Sequence, residues 1–238
     1  MAVTDNRSYY DQFAEGYDSG RDVGYHKLID DQAATLVRRV GDGRRVLEVG
    51  CGTGLVLERI ARFASVAVGV DLSPGMLSHA RARGLDVHEG DCVALPFDDE
   101  TFDVVCSFKV LAHVDDFDAA LAEMLRVVRR GGHIVFDVYN RRSLRYLIKR
   151  LLGPRRTSAS FDEAAITTRF WTQEEAIRRI PPGSRLMDVA GIRVATAHPA
   201  LNQLPLIGPA SRALEWRLMD GPFASLGGFL VLTLERDA

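Results

Sequence analysis

The stretch Val46-Leu47-Glu48-Val49-Gly50-Cys51-Gly52-Thr53-Gly54 decides the fold of this chain. An apolar run passes through one acid into three glycines at alternate positions. Leu55-Val56-Leu57-Glu58-Arg59-Ile60 then follows with helical spacing. Glycines at a strand-to-helix junction let backbone N–H groups and a helix N-terminus come close to a ligand. The dinucleotide fingerprint G-x-G-x-x-G would need glycine at position 55, where the chain has Leu55, and that disfavours an NAD-dependent oxidoreductase. The E-x-G-x-G-x-G form suits the amino-acid end of a nucleoside ligand rather than a pyrophosphate.

Outward from this turn, strand and helix patterns alternate. Strands are expected at Arg45–Val49, Val66–Val70, Asp86–Glu89, Phe102–Ser107 and His133–Val138, with two late ones at Gly191–Ala197 and Gly228–Glu235. Near-continuous apolar runs such as Val66-Ala67-Val68-Gly69-Val70 fit strands buried on both faces of a parallel sheet. Val46, Leu47, Val49, Val68, Val70, Val104, Val105, Ile134, Val135 and Phe136 are the expected core. In a doubly wound sheet, ligands bind at the carboxyl ends of the strands. There the second strand ends on Asp71, able to accept from both ribose hydroxyls. The third is followed by Gly90-Asp91-Cys92, whose acid and following N–H can read an adenine edge.

Before the turn, residues 1–43 read as a helical cap, with Tyr9, Tyr10, Phe13 and Tyr17 at roughly helical spacing and a second helix ending at Gly41-Asp42-Gly43. After Asn140 the character changes. Arg141 to Arg156 holds seven basic residues and no acid, Phe161–Phe170 reads as irregular, and Thr172-Gln173-Glu174-Glu175 is a capping box opening a helix to about Ile180. His198–Leu226, with an amphipathic stretch around Arg212–Met219, is expected as a lid or substrate wall before the last strand. The chain thus divides into a cap (1–43), a cofactor core (44–140) and a substrate-side half (141–238) of one domain.

At 238 residues and 47% hydrophobic, one large domain can bury a full core. A net charge of −2 gives no general attraction to nucleic acid. Cys51, Cys92 and Cys106 lack C-x-x-C spacing and read as reduced thiols of a cytoplasmic protein. No apolar run reaches the ~20 residues of a membrane span, and the N-terminus lacks a signal-peptide pattern. The six histidines form no metal-ligand spacing, so no metal is expected.

The glycine turn, Asp71 and Asp91, in order and each after a strand, together resemble the motifs of class I methyltransferases that use S-adenosylmethionine. Gly69-Val70-Asp71-Leu72-Ser73-Pro74-Gly75-Met76-Leu77, Leu95-Pro96-Phe97-Asp98-Asp99-Glu100-Thr101-Phe102-Asp103 and Leu125–Gly132 look like further segments of that family. The N-terminal Tyr9/Tyr10, Phe13-Ala14 and Tyr17-Asp18 resemble its small-molecule, ubiquinone-methylase-like branch. The resemblance implies a Rossmann-like, doubly wound, mostly parallel seven-stranded α/β sheet with a late antiparallel strand. It also implies that Gly50, Cys51, Gly52 and Gly54 line the methionine and ribose side, with Glu48 near the cofactor ammonium or ordering the loop. Asp71 would hold the ribose, Leu72 and Met76 would pack on adenine, and Asp91 and Cys92 would read its edge. Ser107 and Phe108, with Lys109, would close the pocket near the sulfonium, and Tyr17 would reach the methionine end.

The implied activity is methyl transfer to a small molecule at an oxygen, nitrogen or carbon atom; the rival is a non-catalytic cofactor-binding protein of the same fold. His113 is the candidate general base, although no Asp or Glu is plainly placed to orient it. Cys106, in an apolar strand without a basic neighbour, reads as inert rather than nucleophilic. In Ser143–Leu152, basic Arg142, Arg145 and Lys149 share one helical face opposite Leu144, Leu147, Ile148 and Leu151. The favoured reading lays the apolar face on the sheet; the alternative rests it on an anionic membrane.

Overall fold

The computed structural model describes residues 6–21, 23–152, 168–196 and 207–238. Most of the expected irregular stretch (161–167), the basic residues Arg155 and Arg156 and the first part of the lid, 198–206, lie outside the described residues, as do the side chains of Tyr9 and Phe13. Strand β1, Arg45–Val49, is buried from its second residue onward. It pairs in parallel with β2 (Val66–Asp71) on one side and β4 (Phe102–Ser107) on the other. Beyond these lie β3 (Asp86–Glu89) and β5 (Val128–Asn140), also parallel. The sheet closes with β8 (Phe229–Arg236), antiparallel to both β5 and β7 (Ser184–Ile192), in the order β3-β2-β1-β4-β5-β8-β7.

The apolar runs behave as strands buried on both faces. Val46, Val104, Cys106 and Val135 pack with helix α2 (Gly24–Gly41). Their neighbours Leu47, Val49, Val105, Ile134 and Phe136 pack on the opposite face with α5 (Phe117–Val127). In α5 the buried residues Phe117, Ala120, Leu121 and Met124 fall on one helical face, and the Asp116 side chain caps its start by accepting from the Ala119 N–H at 3.0 Å. All ten expected core residues are buried, the most exposed being Val68 at 6%.

The structure departs from expectation at four places. An additional two-residue strand, β6 (Phe170–Trp171), pairs with the end of β5, giving eight strands among the described residues in place of seven. The strand expected at Gly191–Ala197 lies earlier, at Ser184–Ile192, because an irregularity between Leu186 and Asp188 breaks the two-residue period that would mark it. Residues 193–196 turn away instead, held by Glu215 of α8 (Ile207–Leu218): its buried carboxylate accepts the N–H groups of Val194, Ala195 and Thr196 at 2.8, 3.0 and 2.5 Å. Helix α8 also takes a hydrogen bond from the Gln32 amide of α2 at 3.2 Å, so the described part of the expected lid packs on α2. The basic helix α6 (Leu144–Leu152) does not lay its whole apolar face on the sheet: Leu144 and Leu147 are 44% and 52% exposed.

Candidate functional site

The strand order reverses between β1 and β4, and a cleft of about 380 Å³ opens at the carboxyl ends of the strands there. Gly50 and Gly52 come from the end of β1, Asp71 and Leu72 from β2, Gly90 to Val93 from β3, and Phe108 to Val110 with His113 from β4. Met76 of α4 (Pro74–Ala82), Tyr10 and Tyr17 of α1 (Asn6–Tyr17), and Val114 to Asp116 complete the wall.

The glycine turn is shaped by contact on one side and by open space on the other. At Gly50, φ is +74° and an added Cβ would lie 2.3 Å from a Val110 methyl, so no side chain fits. At Gly52, φ is +54° and nothing lies within 4 Å, which leaves its backbone bare toward the cleft. Asp71 holds this turn open. One carboxylate oxygen accepts the Gly52 N–H at 2.8 Å and the other the Ser73 N–H at 2.9 Å. Each oxygen keeps a second lone pair. Burial raises the Asp71 pKa from its ordinary value, against the pull of those N–H groups.

Behind the turn lies a group of buried charges. Lys109, two residues past the end of β4, has φ +62°, a conformation rarely held by a residue with a side chain. Two carboxyls fix it there: Asp137 accepts its N–H at 2.8 Å and Asp30 its ammonium at 2.7 Å. Glu48, 2% exposed, has an oxygen without a partner, and so does Asp30 at 1%. Burial pushes the Glu48 carboxyl well above its ordinary value, with Lys109 pulling the other way. Burial likewise raises Asp137 to about 7, with the Lys109 N–H and charge opposing.

Helix α1 crosses the mouth of the cleft and is pinned along its length. Arg7 pairs with Glu89 at 2.6 Å. Asp11 accepts the Ser73 hydroxyl at 2.5 Å and the Gly75 N–H at 3.0 Å. Asp18, just past the helix, accepts the Thr53 hydroxyl and pairs with Arg83, both at 2.6 Å. These contacts bring Tyr10 and Tyr17 to the cleft.

At the far end, His113 sits on a short turn, Leu111–His113. Its Nε2 is 3.5 Å from the Tyr139 hydroxyl, and the two rings meet edge to face. Burial raises the Tyr139 phenol to about 12, so it stays protonated.

The expected site residues therefore divide. Tyr17, Gly50, Gly52, Asp71, Leu72, Met76, Asp91, Cys92, Phe108 and His113 line one cleft. Glu48, Cys51, Gly54 and Ser107 do not. The Cys51 sulfur packs where Gly69 lacks a side chain, Gly54 packs against Leu85 and Ala80, and the Ser107 hydroxyl donates to the Val49 carbonyl at 2.9 Å. Each builds the wall instead of facing the ligand space. Asp91 is exposed, and its carboxylate accepts the Val93 N–H at 3.1 Å. Burial raises the thiols of Cys51, Cys92 and Cys106, which keeps them un-ionised. Sequence reasoning missed Asp30, Asp137, Tyr139 and the anchors Asp11 and Asp18; Asp30 stands 79 residues from Lys109, with no spacing signal to join them.

Residues 47–136 match a family model described as a methyltransferase domain. A demethylmenaquinone methyltransferase of Mycobacterium sp. (strain KMS) is 34% identical over 152 residues, covering 59% of this chain and 66% of that protein. The match thus spans just under two thirds of this curated relative's length. Among solved structures, a Thermotoga maritima protein described as a SAM-dependent methyltransferase has a TM-score of 0.73 at 23% identity, over 98% of this chain and 99% of its own. The [4+2]-cyclase SpnF has a TM-score of 0.67 at 19% identity, over 98% and 96%. Both likenesses are of fold.

Proposed function

We propose that this chain is a class I S-adenosylmethionine-dependent methyltransferase and transfers a methyl group from that cofactor to a small, largely apolar acceptor. The match of residues 47–136 and the mycobacterial relative support this reading. The observation that carries it is the bare Gly50–Gly52 backbone beside Asp71, in one cleft with Leu72, Met76 and Asp91 at the carboxyl ends of the strands. Asp71 would hold the ribose through its free lone pairs, Leu72 and Met76 the adenine faces, and Asp91 with the Cys92 N–H its edge.

When bound, the cofactor supplies a methyl group on a sulfonium, already a good leaving group. The protein is then left with alignment and exclusion of water. Phe108, Val110, Val114, Tyr10 and Tyr17 form an apolar wall around the acceptor end. This lining suits a flat, quinone-like acceptor, and the mycobacterial relative is named for a demethylmenaquinone. His113 serves placement rather than base catalysis. Its Nε2 lies 3.5 Å from the Tyr139 hydroxyl, a phenol that burial keeps protonated. Since a cyclase shares the fold, chemistry must be tested directly. Incubation with isotopically labelled S-adenosylmethionine and a quinone or phenol panel, read by mass spectrometry, should give a labelled product. Tight binding of S-adenosylhomocysteine without any labelled product from a cell extract would favour the non-catalytic alternative.

A further inference from the structure

Helix α6 wears its polarity inside out. Arg145 turns inward, its guanidinium 5.2 Å from the Tyr139 ring centroid and 5.5 Å from that of Phe229. Tyr146 packs on Phe170 at 4.9 Å. Two of the leucines instead face out: Leu144 is 44% exposed and Leu147 52%. A single exposed leucine is ordinary, but these have company. Leu226 and Phe223 are 47% and 55% exposed.

Asn140 ties the two groups together. Its side-chain amide donates to the carbonyls of Ser225 at 2.9 Å and Gly227 at 2.8 Å, on either side of Leu226. Its own carbonyl accepts the Ser143 hydroxyl at 2.7 Å, and that hydroxyl accepts the Tyr146 N–H at 3.1 Å, starting α6. One corner of the molecule thus presents leucines from both sides of Asn140. The sequence 141–152, which starts at this corner, holds five basic residues and no acid. Glu175 and Glu174 pair with Arg141 and Arg142, while Arg150 is exposed.

We propose that this corner docks on an anionic lipid bilayer, with Leu144, Leu147 and Leu226 entering the interface and the exposed Arg150, with Arg142 beside α6, meeting the head groups. Apolar insertion and basic charge on one short surface are the two signals that together give stable but reversible attachment. A protein partner of the same size would present acids to match, and a second copy of this chain would set this basic stretch against itself. The proposal stands on this surface alone, whatever the acceptor.

The test is co-sedimentation of the full chain with vesicles of phosphatidylglycerol and phosphatidylcholine at low salt. The protein should sediment with these and stay in solution with phosphatidylcholine alone. L144E/L147E should lower the partition at least about tenfold, and Arg150→Glu should lower it less, with the remainder lost at high salt. Circular dichroism checks the fold of the double variant, and Leu147→Ser replaces it if it does not fold. Wild-type protein left in the supernatant, or equal partition of the leucine variants, overturns the proposal. So does a dimer in sedimentation velocity that L144E/L147E turns into monomer.

Discussion

Replacing Asp71 with alanine acts on the loop and on the ligand at once, and the two effects can be separated. Without ligand, the N–H groups of Gly52 and Ser73 lose acceptors at 2.8 and 2.9 Å. An N–H left without a partner costs about 1–3 kcal/mol when buried, and water reaches this cleft, so a total of about 2 kcal/mol is expected. For a domain of this size that corresponds to a fall in Tm of roughly 4–8 °C. With ligand, two ribose hydroxyls lose charge-assisted bonds of about 1.5–3 kcal/mol each, partly replaced by water, so affinity should fall at least about tenfold. Asp71→Asn keeps one acceptor oxygen and should lie between. Differential scanning fluorimetry reads the first effect and titration calorimetry with S-adenosylhomocysteine the second. A lowered Tm with unchanged affinity would show that Asp71 only shapes the glycine turn and would refute the ribose assignment. An unchanged Tm would refute the loop argument as well.

Glu215→Ala leaves three backbone N–H groups of the 194–196 turn without their acceptor, and urea unfolding should show a loss of at least about 3 kcal/mol; a loss under about 1 kcal/mol would contradict it. The Asp137 carboxyl, raised to about 7 by burial, holds its proton in the folded protein well above the pH at which the unfolded chain releases it. Its contribution therefore erodes stability as pH rises from about 4 to 7, on the order of 4 kcal/mol in all. Asp137→Asn, which keeps an acceptor for the Lys109 N–H, should flatten the stability profile in that window, and an unchanged slope would count against the assignment. His113→Ala should raise the acceptor KM with kcat changed by less than about tenfold. A thousandfold fall in kcat with unchanged affinities would make His113 the base after all.

The sequence by itself determined the frame of this protein. The glycine turn at 50–54 and the carboxylates Asp71 and Asp91 are legible because each sits at a fixed offset from an apolar strand, and local spacing survives in a linear record. The same holds for the alternation that places Val46 and Leu47 on opposite faces of the sheet, and for the Thr172 capping box, whose two reciprocal hydrogen bonds are present. Strand β7 was not legible, since the irregularity beside Met187 removes the period that would announce it. Tertiary structure alone decided which residues stand behind the cleft. Asp30 reaches Lys109 from α2, Tyr139 meets His113 from β5, and Asp11 and Asp18 pin α1 across strand ends more than thirty residues away. It also turned Arg145 inward and Leu147 outward, opposite to what the helical pattern suggests. Such pairings depend on which side chains the sheet topology brings within a few ångströms of one another, and chain separations so long leave no periodic trace.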